Sequence, residues 1–191
     1  MLAYSEIHDY LQKNLSRDKY EHSVNVSIEA GKLAACYDYD MERAKLSGLI
    51  HDCAKDLSID KQKQYAKKCV FFVDDLIYKI PEIIHAPASV YISKNIFGVT
   101  DIDILSAIRY HATGKENMSI IEKIIYIADI IEPGRRFDRV GKIKETAYKD
   151  LDEALLLALD STIIYIVEKK SILHPDTIKA RNFVLDSIKL V

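Results

Sequence analysis

A single all-α domain is what this sequence predicts, and three observations predict it. Apolar residues recur at three- and four-residue spacing along nearly the whole chain, strict alternation is hard to find, and only six glycines and four prolines interrupt it. With 191 residues, 49% of them hydrophobic, the chain is long enough to bury a core of its own.

The elements follow in order. The opening stretch MLAYSEIHDYLQKNLS lacks the basic start and unbroken apolar run of a signal peptide, and no apolar stretch approaches the ~20 residues needed to span a bilayer. SRDKYEHSVNVSIEAGKLAACYDYD carries the helical stripe Val26, Ala30, Leu33, Tyr37. After a tight DYD, MERAKLSGLIHDCAKD carries the stripe Ala44, Gly48, His51, Asp52, which reads as one core helix through the His-Asp pair. DKQKQYAKKC is basic, and such a run is ordinarily a solvated helix face. Pro81 starts the helix PEIIHAPASVYISKNIF, kinked or restarted at Pro87. DIDILSAIRYH runs into a loop at ATGKEN, and SIIEKIIYIADIIEP is a strongly apolar helix stopped by Pro133-Gly134. RRFDRVGKIKE reads as a polar connection, DLDEALLLALDSTIIYIVEKK as an amphipathic helix, and HPDTIKARNFVLDSIK as a last helix with Pro175 in its first turn.

Composition narrows the partners. Lysine and arginine number 27 against 29 acids, a net charge of -2, so no global field recruits nucleic acid or an anionic membrane. Cys36, Cys53 and Cys69 are odd in number and form no C-x-x-C, which argues against a disulfide framework and a thiolate zinc site. A cytoplasmic protein without nucleic-acid or membrane partners is expected.

The histidines carry the chemistry. His22 lies four residues before Val26, His85 continues the Ser89, Ile92, Ile96 face, and His111 closes the face of Ile104, Ala107 and Ile108. Asp129 stands one turn beyond Ile125 in an apolar run, where a lone ionised carboxylate is costly unless paired or bound to a cation. A single core histidine is ordinarily satisfied by hydrogen bonds. Six polar groups on inward faces, His22, His51, Asp52, His85, His111 and Asp129, instead ask for a shared partner. Four imidazoles and two carboxylates suit a first-row divalent metal such as iron, manganese, cobalt or zinc. Because six donors exceed what one ion with an open position needs, two ions sharing Asp52 is the economical arrangement. Such a pair activates water and neutralises a phosphoryl group under attack, which is hydrolysis of a phosphate ester or anhydride. Lys55, one turn beyond the pair, Lys19, one turn before His22, and Arg135 and Arg136 after the helix break are cations available to a polyphosphate. Tyr110 and Phe137 are aromatics that could stack on a base.

The series H…HD…H…H…D, with HDCAKD, IRYHATG, YIADIIEPGR and HPDT around it, resembles the metal-dependent HD-domain phosphohydrolases, in particular the bacterial YqeK-type symmetrical diadenosine-tetraphosphate hydrolases. The resemblance spans nearly the whole chain. It implies an HD-type helical bundle with its metal-binding core over about residues 18–132 and C-terminal helices completing a nucleotide pocket. It also implies an iron centre held by His22, His51, Asp52 and Asp129, with His85 and His111 serving a second metal or the nucleotide phosphate. Cleavage of diadenosine tetraphosphate into two ADP molecules is implied, with Asp52 and Lys55 in catalytic roles. Substrate contacts are implied for Lys55, Arg135, His174 and Pro175, beside Tyr110, which the residues themselves offer. Lys19 stands where the family pattern has arginine, which keeps the charge but loses a bidentate fork. Ala112 stands where a hydroxyl residue is expected. A homodimer is a further expectation. The residues alone leave room for an HD hydrolase of deoxynucleotides or guanosine alarmones, for a nucleotide-binding module without turnover, and for a metal-free helical adaptor.

Overall fold

The computed structural model describes residues 1–189, and among these it contains helices and no strand. The helices are α1 (Tyr4–Asn14), α2 (Arg17–Cys36), α3 (Met41–Ile50), α4 (Ile59–Ala66), α5 (His85–Asn95), α6 (Ile102–Tyr110), α7 (Ile120–Ile131), α8 (Val140–Ala147), α9 (Leu151–Glu168) and α10 (Pro175–Lys189), with a 3-10 turn at Ile77–Lys79. None is long and apolar enough to cross a membrane.

Aspartates set several of the starts. Asp40, Asp101 and Asp150 each accept two backbone N–H groups from the first turn of α3, α6 and α9. These satisfy donors that a helix start leaves without an intrahelical partner. At α7 the Glu122 carboxylate reaches back to the Ser119 N–H at 2.7 Å.

The most apolar helix, α7, runs through the middle. Its Ile121, Ile124, Ile125, Ile127, Ala128 and Ile131 are buried, and it packs on α2, α3, α6, α8 and α9. The most extensive pairing joins α2 and α3. Gly48 permits their close approach, since a Cβ there would lie 2.9 Å from the Ser27 Cα. That approach also brings the rings of His22 and His51 to 5.3 Å between centroids.

Three sequence expectations are corrected. First, α3 ends at Ile50 and does not continue through HDCAKD, so His51 and Asp52 open a run of turns. Second, α5 begins at His85 and not at Pro81; Pro87 therefore falls in the first turn, where its missing N–H leaves no hydrogen bond unmade. Third, the polar connection after Pro133 contains α8, whose Ile143 and Ala147 are buried against the core.

Candidate metal centre

Helix ends build the site. A helix leaves its last carbonyls without intrahelical donors. His51 and His111 stand at the C-caps of α3 and α6. The His51 Nδ1–H donates to the Gly48 carbonyl at 2.7 Å, and the His111 Nδ1–H donates to the Ile108 carbonyl at 2.8 Å. Each bond fixes the tautomer that leaves an Nε2 lone pair facing inward. His85 enters as the first residue of α5, His22 from the N-terminal part of α2, and Asp129 from the last turn of α7.

These side chains converge on Asp52. Its Oδ2 lies 3.6 Å from His51 Nε2 and 3.9 Å from His22 Nε2, whereas Oδ1 lies 2.9 Å from His85 Nε2 and 3.4 Å from His111 Nε2. Asp129 Oδ1 is 3.1 Å from His22 Nε2. His51, Asp52, His85 and His111 are buried, while His22 and Asp129 keep a narrow opening to solvent. Donor atoms of His22, His51 and Asp129, and of His51, Asp52 and His111, each fall within 4.8 Å of one another.

The electrostatics suit a cation. Burial pushes the imidazole of His51 down to about 4 and that of His85 down to about 3, the latter helped by the Lys55 ammonium, so both offer neutral lone pairs at neutral pH. Burial alone would raise Asp52, but His51, His85 and Lys55 hold its carboxyl well below the usual range. The same opposition, resolved by His22 and Arg135, holds Asp129 well below it. His22 Nε2, His51 Nε2 and Asp52 Oδ1 are buried with no hydrogen-bond partner among the described residues. Each such orphan costs about 1–3 kcal/mol unless something else satisfies it. Nitrogen and carboxylate donors with unused lone pairs, aimed at one point, fit a divalent transition metal.

The cations expected at the site divide. Lys55 is there, its Nζ 2.9 Å from His85 Nε2 and 3.5 Å from Asp52 Oδ1. It lies in the turns after α3, and not on the helix that the sequence suggested. Arg135 folds back so that its Nη2 pairs with the Asp129 carboxylate and its Nε donates to the Asp129 carbonyl at 2.9 Å. Lys19 is instead paired with Asp56, whose other oxygen takes the Ser16 N–H at 2.7 Å. Arg136 and Phe137 are exposed on the connection to α8.

Tyr110, His174 and Pro175 come together elsewhere. They line a cavity of about 510 Å³ with Phe72, Asp74, Arg109, Lys115, Asp176 and Lys179. It adjoins the metal-centre residues through the chain, because Tyr110 precedes His111. His174 is held by Asp74 Oδ2, 3.0 Å from its Nε2, and its Nδ1 accepts the Asp176 N–H at 3.2 Å. Arg109 is buried, stacks 4.8 Å over the Tyr110 ring and donates to the Phe72 carbonyl.

Sequence reasoning passed over Glu132 and Arg109. Glu132 is buried, with Oε1 3.2 Å from His22 Nδ1. Its signal was present, an acid one helical turn after Asp129 at the end of an apolar helix.

A helical bundle carrying a His/Asp cluster on the ends and inner faces of α2, α3, α5, α6 and α7 defines a class, and the comparisons agree with it. The chain belongs to the HD domain family, whose model matches residues 20–134. It is 35% identical to the symmetrical bis(5'-nucleosyl)-tetraphosphatase of Halalkalibacterium halodurans, over 92% of this chain and 93% of that one. The enzyme of the same name from Bacillus subtilis is 34% identical over 92% of this chain and 94% of its own. The crystal structure of a predicted HD superfamily hydrolase from Clostridium acetobutylicum superimposes with a TM-score of 0.93 and 41% identity, covering 98% of this chain and 99% of that one.

Proposed function

We propose that this chain hydrolyses diadenosine tetraphosphate symmetrically, to two ADP molecules, at a divalent-metal centre held by His22, His51, Asp52, His85, His111 and Asp129. One observation carries the reading. At Asp52, the buried atoms His22 Nε2, His51 Nε2 and Asp52 Oδ1 have no hydrogen-bond partner among the described residues, in a chain that matches symmetrical tetraphosphatases over nine-tenths of its length. The split of Asp52, with Oδ2 toward His51 and His22 and Oδ1 toward His85 and His111, supports its role as a bridge between two ions. Iron is our preferred metal, from the family resemblance, and the donor set equally accommodates manganese, cobalt or zinc.

A bound divalent ion supplies Lewis acidity and a water acidic enough to attack at neutral pH. The protein's own groups do the rest. Lys55, within 3.5 Å of Asp52, faces the phosphoryl group that sits over the centre and stabilises charge developing on its oxygens. Arg135, anchored on Asp129, presents its remaining N–H groups to the next phosphate along the chain. Attack on an inner phosphorus breaks its bond to the bridging oxygen, and that oxygen leaves on ADP. Water contributes its oxygen to the second ADP.

The cavity around Tyr110 takes one adenosine in this reading. Arg109, Lys115 and Lys179 are matched there by Asp74, Glu116 and Asp176, and two aromatics form its walls. A charge-balanced, aromatic pocket suits a base and ribose better than a phosphate chain. Residues about 18–132 would thus hold the metals, and the C-terminal helices would complete the nucleotide pocket.

Product chromatography is the test. ADP as the sole product from diadenosine tetraphosphate is expected, and AMP plus ATP would exclude this cleavage. A panel of deoxynucleoside triphosphates and guanosine alarmones should turn over far more slowly; preference for either would move the chain to another HD hydrolase activity.

A further inference from the structure

His51 and His111 are oriented by carbonyls of their own helices because both stand at helix ends. His22 has no such support. It lies inside α2, where backbone carbonyls are already engaged in the helical ladder, so an acceptor for its Nδ1–H must come from elsewhere. Glu132, the C-cap of α7, supplies it, with Oε1 3.2 Å from His22 Nδ1. The same carboxylate accepts the Gly134 N–H at 2.6 Å and the Asn25 side-chain amide at 3.2 Å. It is only 4% exposed.

For stability alone an acid is a poor choice here. The C-terminal end of a helix is its negative end and favours cations, so a buried carboxylate at the cap of α7 works against the macrodipole. The close approach is also built in, since a Cβ at Gly134 would lie 2.8 Å from Glu132 Oε1.

We infer that Glu132 is a positioning residue: it locks His22 in the Nδ1–H tautomer, turning the Nε2 lone pair to the metal centre, and ties that ligand to the turn bearing Arg135. A neutral imidazole freed from Glu132 gains more by carrying its proton on Nε2, where Asp129 Oδ1 waits 3.1 Å away. In that tautomer it has no lone pair for a metal on that side. The inference rests on the metal-centre reading above and adds a residue that touches neither metal nor substrate. Partners of metal-bound histidines typically contribute ten- to a hundredfold in metal affinity.

The test uses the full chain in three forms, wild type, Glu132→Ala and Glu132→Gln, each checked for fold by circular dichroism. Long-range 15N–1H spectra of the histidine rings of metal-free protein, at alkaline pH, report each tautomer. Competition with a chromogenic chelator reports affinity for manganese and zinc. The alanine variant should move His22 to the Nε2–H tautomer, leave His51 and His111 on Nδ1–H, and weaken metal binding by about ten- to a hundredfold. The glutamine variant keeps a carbonyl oxygen for Nδ1–H and should restore the tautomer and most of the affinity. An alanine variant that retains the wild-type tautomer and affinity overturns the inference, as does a folded glutamine variant no better than alanine. Wild-type protein that binds neither metal would instead bring down the metal-centre reading, and the inference with it.

Discussion

Around Asp52, His22 Nε2, His51 Nε2 and Asp52 Oδ1 are buried without a hydrogen-bond partner among the described residues. Around Tyr110, three cations face three acids and the walls are partly open to solvent. The first region is electrostatically incomplete and mechanically over-determined: the rings of His51 and His111 are clamped by carbonyls at helix ends, and His22 by Glu132. The second is balanced in formal charge, with Asp74 on His174 and Arg109 stacked on Tyr110, although the buried Arg109 Nε has no hydrogen-bond partner among the described residues. The difference says what each can accept. An unfilled set of donors calls for a cation, while a balanced pocket with aromatic walls receives a largely neutral group at little electrostatic penalty.

Substitutions on the two sides should fail in different ways. The largest effect is expected for Asp52→Ala. It removes the group to which His22, His51, His85 and His111 all turn, so metal content falls and kcat drops by several orders of magnitude, because bulk water is no substitute nucleophile at neutral pH. Elemental analysis beside single-turnover kinetics measures both; a folded variant with normal metal content and turnover would end the bridging assignment.

Arg135→Ala comes next. A charge-assisted hydrogen bond to phosphate contributes about 1.5–3 kcal/mol, so KM should rise by roughly ten- to a hundredfold while metal content stays put. Tyr110→Ala should raise KM by about five- to tenfold, from the weaker end of base–aromatic stacking, again without metal loss. Equal KM values for wild type and this variant would empty the cavity of its proposed adenosine.

The smallest effect is on stability. Burial would raise Asp74, but His174 and the N–H groups of Leu76 and Ile77 hold its carboxyl below the usual range. A carboxyl with a lowered folded-state pKa stabilises above the ordinary value of about 4 and loses that contribution as pH falls through its own lower one. Asp74→Asn should therefore lower Tm modestly at pH 7, and the gap from wild type should close below about pH 4. A gap that is constant with pH would remove the charge from this account.

Much of this is legible in the sequence. Stripes such as Val26, Ala30, Leu33 and the run around Ile125 announced α2 and α7, and inward-facing histidines on apolar faces announced the cluster. What escaped depended on tertiary partners or on where helices stop. Val140, Ile143 and Ala147 are too sparse a stripe to reveal α8 within a polar segment. No propensity told that α3 ends at Ile50, yet that end creates the free carbonyl of Gly48 on which His51 turns. Glu132 meets His22 across 110 residues of sequence, and Asp74 meets His174 across 100. Side-chain pairs at such separations leave no periodic trace.

Metal reconstitution tests the central claim most directly. Protein stripped by chelator is titrated with iron(II), manganese, cobalt, zinc or magnesium, and bound equivalents are read alongside ADP released from diadenosine tetraphosphate. The account predicts no turnover by the stripped protein and recovery in proportion to the transition metal bound, with the metals lost again in Asp52→Ala. Full turnover by metal-free protein, or with magnesium alone, would contradict it.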